Sequence, residues 1–141
     1  MSLVSDIVYD RPFAHVTGRQ TVADAARRMA ELNCGAILVV DDGELRGVFS
    51  ERDIMRRVVL EGRNPETTPV ADVMSTHLST IEESATLEEA MAAMQAHGCR
   101  HLPVMKGGRV VAFLSMRDVM RHELTLKTEE LHHMRSYIGA A

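Results

Sequence analysis

The sequence of 141 residues is poor in aromatic side chains and contains no tryptophan. Aromatic residues make up 4% of the chain, so the stacked rings that commonly bind single-stranded nucleic acid are not expected. A formal net charge of -4 leaves no basic excess to attract nucleic acid or an anionic membrane surface. No apolar run approaches the ~18 residues that a membrane-spanning helix needs, and no leader-like segment opens the chain. We therefore expect a cytoplasmic protein whose partners are neither nucleic acids nor membranes.

Cysteine is also scarce, with Cys34 and Cys99 the two that are present. Two cysteines are too few for a disulfide framework, and they do not form a CxxC pair. We expect both thiols to be reduced and buried. With 45% hydrophobic and 26% charged residues, the composition is that of an ordinary globular protein in which ten methionines supply adaptable apolar volume.

Motifs that would indicate an enzyme are missing as well. The sequence has no glycine-rich phosphate loop, no nucleophile elbow and no HExxH segment. Among the seven histidines, His132 and His133 are adjacent and would point about 100° apart on a helix, so they do not form a metal-binding pair. We expect no catalytic activity and no metal site.

The chain contains one unit twice. Shifting the sequence by 65 positions aligns residues 21–57 with 86–122 without a gap and gives 11 identities in 37 positions, where unrelated segments would give roughly two or three. The identical pairs are Thr21/Thr86, Ala25/Ala90, Met29/Met94, Cys34/Cys99, Val39/Val104, Gly43/Gly108, Ser50/Ser115, Arg52/Arg117, Asp53/Asp118, Met55/Met120 and Arg56/Arg121.

Both copies alternate between helical and strand periodicity in the order strand, helix, strand, strand, helix. In the first copy we expect a strand at 13–17, a helix at 22–33, strands at 36–40 and 45–49 around a turn at 41–44, and a helix from Ser50 that carries Ile54, Met55, Val58 and Val59 inward. In the second copy we expect a strand at 78–81, a helix at 87–97, strands at 102–105 and 110–114, and a helix from Met116. Residues 61–69, with Gly62, Pro65 and Pro69, read as the linker.

The expected fold is therefore α/β (α+β), with two β-α-β-β-α repeats packed about a pseudo-two-fold axis and a cleft between them. A unit of about 60 residues is marginal alone, so the copies should stabilise each other. We assign residues 1–64 to the first repeat, 65–124 to the second and 125–141 to a helical tail. At the end of the second repeat and in the tail, Leu124, Leu131 and Ile138 are spaced by seven and predict an apolar face that packs on the body of the protein or on a second subunit.

Each copy places Ser-x-x-Asp where the last strand passes into a helix, at Ser50 and Asp53 and again at Ser115 and Asp118. An aspartate accepts hydrogen bonds from both hydroxyls of a vicinal diol, and the free N–H groups of a helix start can hold a phosphate. The same four-residue pattern is also a helix cap that serves only local stability. Both interpretations of the pattern remain open on sequence alone.

The strand followed by Ser-x-x-Asp, together with Arg100-His101-Leu102-Pro103-Val104, resembles the sequence motifs of the cystathionine-β-synthase (CBS) domain pair over residues 8–124. The resemblance implies a disc-shaped regulatory module that binds AMP, ADP, ATP, NAD(H) or S-adenosylmethionine, commonly as a homodimer. The implied ligand contacts are Asp53 and Asp118 for ribose, Ser50 and Ser115 for phosphate or ribose, Arg52, Arg117, Arg100 and His101 for phosphate, and His15 and Thr80 for the base.

The two copies differ at the positions that would hold phosphate. The first copy has Gly35 and Ala36 where the second has Arg100 and His101, so we expect unequal sites with the phosphate partners mainly in the second copy. We expect a stand-alone nucleotide sensor that acts on an unknown effector protein in trans. The alternatives are an interaction module with empty clefts, and a redox or metal sensor that uses Cys34 and Cys99.

Overall fold

The computed structural model describes residues 1–8 and 12–140, and within these ranges each copy forms one three-stranded sheet. The first strand of each sheet runs parallel to the second, and the second and third are antiparallel. The elements are α1 (Val4–Val8), β1 (His15–Val16), α2 (Val22–Leu32), β2 (Ala36–Asp41), β3 (Glu44–Ser50), α3 (Glu51–Asp53) continued by a π-helical segment (Ile54–Val59), a 3₁₀ turn (Val70–Asp72), β4 (Ile81–Glu82), α4 (Leu87–His97), β5 (His101–Lys106), β6 (Arg109–Ser115) and α5 (Met116–Ala140).

The two repeats meet along their third strands, β3 and β6, as the pseudo-two-fold arrangement requires. The α/β fold with tandem β-α-β-β-α repeats and a C-terminal helix is therefore confirmed. Both hairpins turn through two residues with positive φ, Asp42 (51°) and Gly43 (79°) in the first copy and Gly107 (58°) and Gly108 (79°) in the second. Such turns match the twist of the flanking strands.

The helix after each first strand starts where the sequence predicts. It ends at the predicted residue in the second copy and one residue earlier, at Leu32, in the first. The Thr21 hydroxyl accepts a hydrogen bond from the backbone N–H of Asp24 (3.2 Å), and Asp24 accepts one from the N–H of Thr21 (3.1 Å). Asn33 ends the helix in the left-handed conformation, and Gly98 does the same for the second copy. These caps satisfy backbone groups that the helix itself leaves unpaired.

The segment that precedes each repeat packs on the other repeat. Val4 and Val8 of α1 belong to the core of the second repeat, and the N–H of Val4 donates to the Ala85 carbonyl (2.9 Å). Val70 and Val73, from the equivalent segment of the second copy, belong to the core of the first repeat. A boundary between residues 64 and 65 therefore divides the sequence copies but does not separate two cores.

The first strand of each sheet is shorter than expected and, in the second copy, shifted. The prediction of 13–17 was too long, because only His15–Val16 pairs with β2, and 78–81 was misplaced, because β4 is Ile81–Glu82. Pro103 occupies the position of Leu38 and has no N–H to donate to the first strand, so pairing begins one residue later in the second sheet. Thr80 consequently lies outside β4 and is exposed.

Two other expectations about burial were wrong. Met55 and Val59 are 50% and 65% exposed, because the chain from Ile54 to Val59 winds with the wider i to i+5 pattern of a π-helix and only Val58 is fully buried there. Cys34 and Cys99 are free thiols, as expected, but each is half-buried rather than buried.

Helix α5 runs without a break from the second repeat to residue 140 and spans about 37 Å. Leu124, Leu131 and Ile138 are 67%, 54% and 71% exposed. The apolar face therefore does not pack on the body of the protein, and its packing on a second subunit stays a prediction. In the part of the chain that the structure describes, no helix combines the length and apolar character needed to cross a bilayer.

Candidate functional site

A cleft of about 1860 Å³ lies between the two repeats. Pockets for small molecules usually hold roughly 300–1,000 Å³, so this cleft has room for a nucleotide and remains open to solvent. The first repeat supplies the segment 12–14 and the end of α2, and the second supplies the start of β5 and the first turns of α5. Its lining includes Phe13, Arg28, Cys34, Glu51, Arg100, His101, Phe113, Ser115, Arg117, Asp118 and Arg121.

The second Ser-x-x-Asp segment forms the start of α5 on the cleft wall. The N–H of Ser115 donates to Asp118 Oδ2 (2.9 Å), and the N–H of Asp118 donates to Ser115 Oγ (3.0 Å). The N–H of Met116 donates to the Arg100 carbonyl (2.8 Å), which ties the start of β5 to the start of the helix. The sequence therefore brings a half-buried carboxylate, a hydroxyl and two guanidinium groups, those of Arg100 and Arg117, to one cleft.

His101 is the first residue of β5 and its ring lies against Phe113, with 5.1 Å between the ring centroids. Burial lowers the pKa of His101 below its ordinary value of 6.5. The Asp118 carboxylate acts to raise this pKa, whereas Arg100 and Arg117 act to lower it further. His101 is therefore a neutral imidazole at neutral pH, which has one ring nitrogen that can donate a hydrogen bond and one that can accept a hydrogen bond.

The first Ser-x-x-Asp segment has a different environment. The Asp53 side chain is 8% exposed, and its Oδ2 accepts hydrogen bonds from the N–H (3.0 Å) and the hydroxyl (3.2 Å) of Ser50. Its Oδ1 accepts from the hydroxyl of Ser75 (3.0 Å). Arg52 is exposed on α3, and neither it nor Ser50 and Asp53 line the large cleft.

The structure thus brings together half of the predicted site residues. Arg100, His101, Ser115, Arg117 and Asp118 share the cleft. Residues Ser50, Arg52, Asp53, His15 and Thr80 are not among those that line it. His15 instead borders a shallow groove of about 260 Å³ beside α2, and Thr80 is exposed before β4.

Sequence reasoning missed the lining that comes from the first repeat. Phe13, Arg28 and Glu51 face the second repeat across the cleft, and Arg121 extends the basic wall one turn along α5. The repetition of Arg56 as Arg121 was a signal for that residue, but no pattern within one copy indicated which residues would lie opposite the other copy. Which residues of one repeat lie opposite the other repeat is decided by tertiary packing.

Cys34 also lines the cleft. The protonation state of its thiol is relevant to the alternative hypothesis of a redox sensor. Burial raises the pKa of Cys34 above 9.0, so the protonated thiol, which is a poor nucleophile, dominates at neutral pH. Within residues 1–8 and 12–140, no three histidine, cysteine, aspartate or glutamate side chains converge to hold a metal ion.

Comparison with known proteins places these features in one family. A family model described as CBS domain matches residues 4–60 and again residues 70–125. The CBS domain-containing protein YhcV of Bacillus subtilis is 35% identical over 125 residues, which cover 89% of this chain and 88% of YhcV. Across three curated relatives, this chain spans 62%, 88% and 54% of the relative's own length.

Two solved structures are similar over most of this chain. A protein with CBS domains from Burkholderia ambifaria MC40-6 is 35% identical, with a TM-score of 0.82, over 88% of this chain and 95% of its own. The CBS domain protein PAE2072 from Pyrobaculum aerophilum, solved in complex with AMP, is 25% identical, with a TM-score of 0.74, over 82% of this chain and 88% of its own.

Proposed function

The chain belongs to the CBS-domain family, and from that premise we propose that it is a regulatory module that binds an adenosine-containing nucleotide between its two repeats. The observation that carries the proposal is the cluster of Arg100, His101, Ser115, Arg117 and Asp118 at the start of α5, on the wall of the cleft. A relative of the same fold, PAE2072, is seen with AMP, which supports this ligand class.

The chemistry of the cluster suits the parts of a nucleotide. The Asp118 carboxylate would accept hydrogen bonds from the ribose hydroxyls, because a carboxylate oxygen can accept more than one hydrogen bond. Arg100 and Arg117 would hold the phosphate with charge-assisted hydrogen bonds, with Ser115 and His101 as neutral partners. Phe13 lies in the cleft on the opposite repeat and offers an apolar surface to the base.

Regulation would follow from the position of the ligand between the repeats. A ligand shifts a conformational equilibrium only by its different affinity for the two arrangements. A ligand in contact with both walls would favour the arrangement in which both sets of contacts form together. The nucleotide would fix the first repeat's segment 12–14 relative to α5. The changed surface would then be read by a protein in trans, with no chemical step on the nucleotide.

We further propose that two chains associate through the apolar face of α5. Leu124, Leu131, Met134 and Ile138 are 67%, 54%, 54% and 71% exposed on one helix, and large apolar side chains in a continuous stripe favour a partner surface. Their spacing of three, four and seven residues puts them on one side of the helix. A second copy of α5 would provide a matching stripe.

Nucleotide binding is tested by melting the purified protein with AMP, ADP, ATP, NAD, NADH and S-adenosylmethionine in turn. A ligand at ~100 times its dissociation constant should stabilise the fold by about 2.7 kcal/mol, which is a shift of several degrees at this size. Calorimetric titration of the ligand with the largest shift then gives its affinity. No shift from any of the six, with no nucleotide carried through purification, would favour an interaction module whose Ser-x-x-Asp segments serve only as caps.

A further inference from the structure

Glu51 places a carboxylate on the first-repeat wall of the cleft. It is the first residue of α3, lines the cleft and is exposed to solvent. Its backbone N–H donates to the Gly35 carbonyl at 3.0 Å, and its side chain lies over the same glycine. A Cβ atom at Gly35 would lie 3.5 Å from the carboxyl carbon and 3.5 and 3.7 Å from the two carboxylate oxygens. The carboxylate therefore lies beside the entry to β2.

The equivalent helix start in the second repeat carries the opposite charge. By the 65-residue shift, Gly35 corresponds to Arg100 and Glu51 to Met116. The N–H of Met116 donates to the Arg100 carbonyl (2.8 Å), just as the N–H of Glu51 donates to the Gly35 carbonyl. The two helix starts thus share one backbone arrangement, and all four residues line the same cleft. One start adds a carboxylate to the cleft and the other adds a guanidinium.

The Glu51 carboxylate also acts across the cleft on the second repeat. Burial lowers the pKa of His101, and Asp118 and Glu51 act in the opposite direction and raise it, although Glu51 and His101 belong to different repeats. Within residues 1–8 and 12–140, no lysine, arginine or histidine side chain forms an ion pair with Glu51. A ligand held by Arg100 and His101 would therefore lie near a carboxylate that no neighbouring side chain neutralises.

We infer that Glu51 determines which group the cleft accepts at the 5′ position of an adenosine ligand. A negative charge repels a phosphate and attracts a cationic group such as a sulfonium or an ammonium. Glu51 would thus lower the affinity for AMP and raise the affinity for S-adenosylmethionine, while Arg100 and Arg117 act in the opposite sense. The inference rests on the proposed function, because it assumes that an adenosine ligand occupies the cleft with its 5′ group near Arg100.

The test uses the full chain and three ligands that share adenosine but differ in the charge of the 5′ group. These are AMP, S-adenosylmethionine and adenosine itself. Calorimetric titration gives the affinity of each ligand for the parent and for Glu51→Gln, which removes the charge and keeps the size of the side chain. Glu44→Gln is the matched control, because it removes the same net charge from an exposed residue of the first repeat that is not among those lining the cleft.

Glu51→Gln should change the affinities for the two charged ligands in opposite directions. We expect it to bind AMP about three-fold more tightly and S-adenosylmethionine about three-fold more weakly, with the affinity for adenosine within about two-fold of the parent. The ratio of the two affinities then changes by about ten-fold, whereas Glu44→Gln should keep the parental ratio. In the protein without ligand, NMR titration should give a lower pKa for His101 in Glu51→Gln than in the parent.

The outcomes separate this inference from the proposed function. If the ligands bind but Glu51→Gln has the affinity ratio of Glu44→Gln, the inference is wrong and the proposed function stands. Equal changes for AMP, S-adenosylmethionine and adenosine, or an unchanged pKa of His101, would also overturn it. If S-adenosylmethionine does not bind the parent, the ratio of AMP to adenosine decides. If none of the three ligands binds, the proposed function fails for this ligand class and the inference fails with it.

Discussion

Asp118 accepts a hydrogen bond from the backbone N–H of Ser115 at 2.9 Å and at the same time lies on the wall of the inter-repeat cleft. The same carboxylate therefore has a structural and a proposed ligand-binding role. The two roles differ in the chemical group that they require. The helix cap needs an oxygen acceptor, while a ribose diol is held best by an anionic one.

Asparagine and alanine at position 118 should separate these roles. Asp118→Ala should lower the free energy of unfolding by about 0.5–2 kcal/mol, because the Ser115 N–H loses its acceptor at the helix start. Asp118→Asn keeps an acceptor and should cost less stability, yet both variants should bind nucleotide at least about ten-fold more weakly. Urea unfolding and calorimetric titration measure the two effects, and parental affinity in Asp118→Asn would show that the negative charge is not used.

Arg117 should contribute to phosphate binding, and its counterpart Arg52 should not. Arg117 lines the cleft, whereas Arg52 is its equivalent by the 65-residue shift and lies outside it. Arg117→Gln should weaken AMP binding by about ten-fold, since a hydrogen bond to a charged group contributes about 1.5–3 kcal/mol.

Arg52 is a matched control for Arg117. Both arginines are exposed, and each is the second residue of the helix that follows the third strand of its repeat. Arg52→Gln removes the same net charge from the protein and should leave the affinity unchanged. Higher salt should weaken AMP binding to the parent more than to Arg117→Gln. Equal losses in the two variants would mean that only the overall charge of the protein matters.

Most of the fold could be predicted from sequence because of the duplication. Each helix or strand predicted in one copy could be checked against its counterpart in the other. The bounds of α4 and the starts of α2 and α5 follow from Thr86, Thr21 and Ser115, where a cap residue precedes a periodic apolar pattern. The π-helical segment after Asp53 could not be predicted, since Ile54, Met55, Val58 and Val59 form an acceptable α-helical stripe.

In the candidate site, only the residues that belong to the sequence motifs could be predicted. Arg100 and Asp118 stand in one motif each, directly before β5 and in the first turn of α5, and only β6 separates these two elements in the chain. The engagement of Asp53 by Ser75 could not be foreseen, because the two residues lie 22 positions apart and meet only when the segment between the repeats pairs with β3.

The stability of the protein should depend on pH through His101. Because burial lowers the pKa of His101 in the folded state, the unfolded chain binds this proton more tightly than the folded protein. The contribution of His101 to stability is therefore fully present above its ordinary pKa of 6.5 and is lost as the pH falls through the lower folded value. The charged groups that act on its pKa are Asp118 and Glu51, which raise it, and Arg100 and Arg117, which lower it.

The measurement is urea unfolding of the parent and of His101→Gln at intervals from pH 8 to pH 5. The difference in unfolding free energy between the two proteins should shrink as the pH falls below 6.5, because other titrating groups cancel in the comparison. A difference that stays constant, or that grows toward acid pH, would contradict a lowered pKa for His101.

Association through α5 should be abolished by one charge on its apolar face. Leu131 is at the middle of the stripe and 54% exposed, so Leu131→Glu would bury an unpaired carboxylate in a dimer while costing the monomer little. We expect the parent to have twice the chain mass of 15.6 kDa in light scattering after gel filtration, and Leu131→Glu to have the mass of one chain. Ser136→Glu puts the same charge about 140° away around the helix and should remain dimeric. A parent that is monomeric at all concentrations would contradict the dimer, and loss of the dimer in both variants would mean that charge on α5, rather than its apolar stripe, controls association.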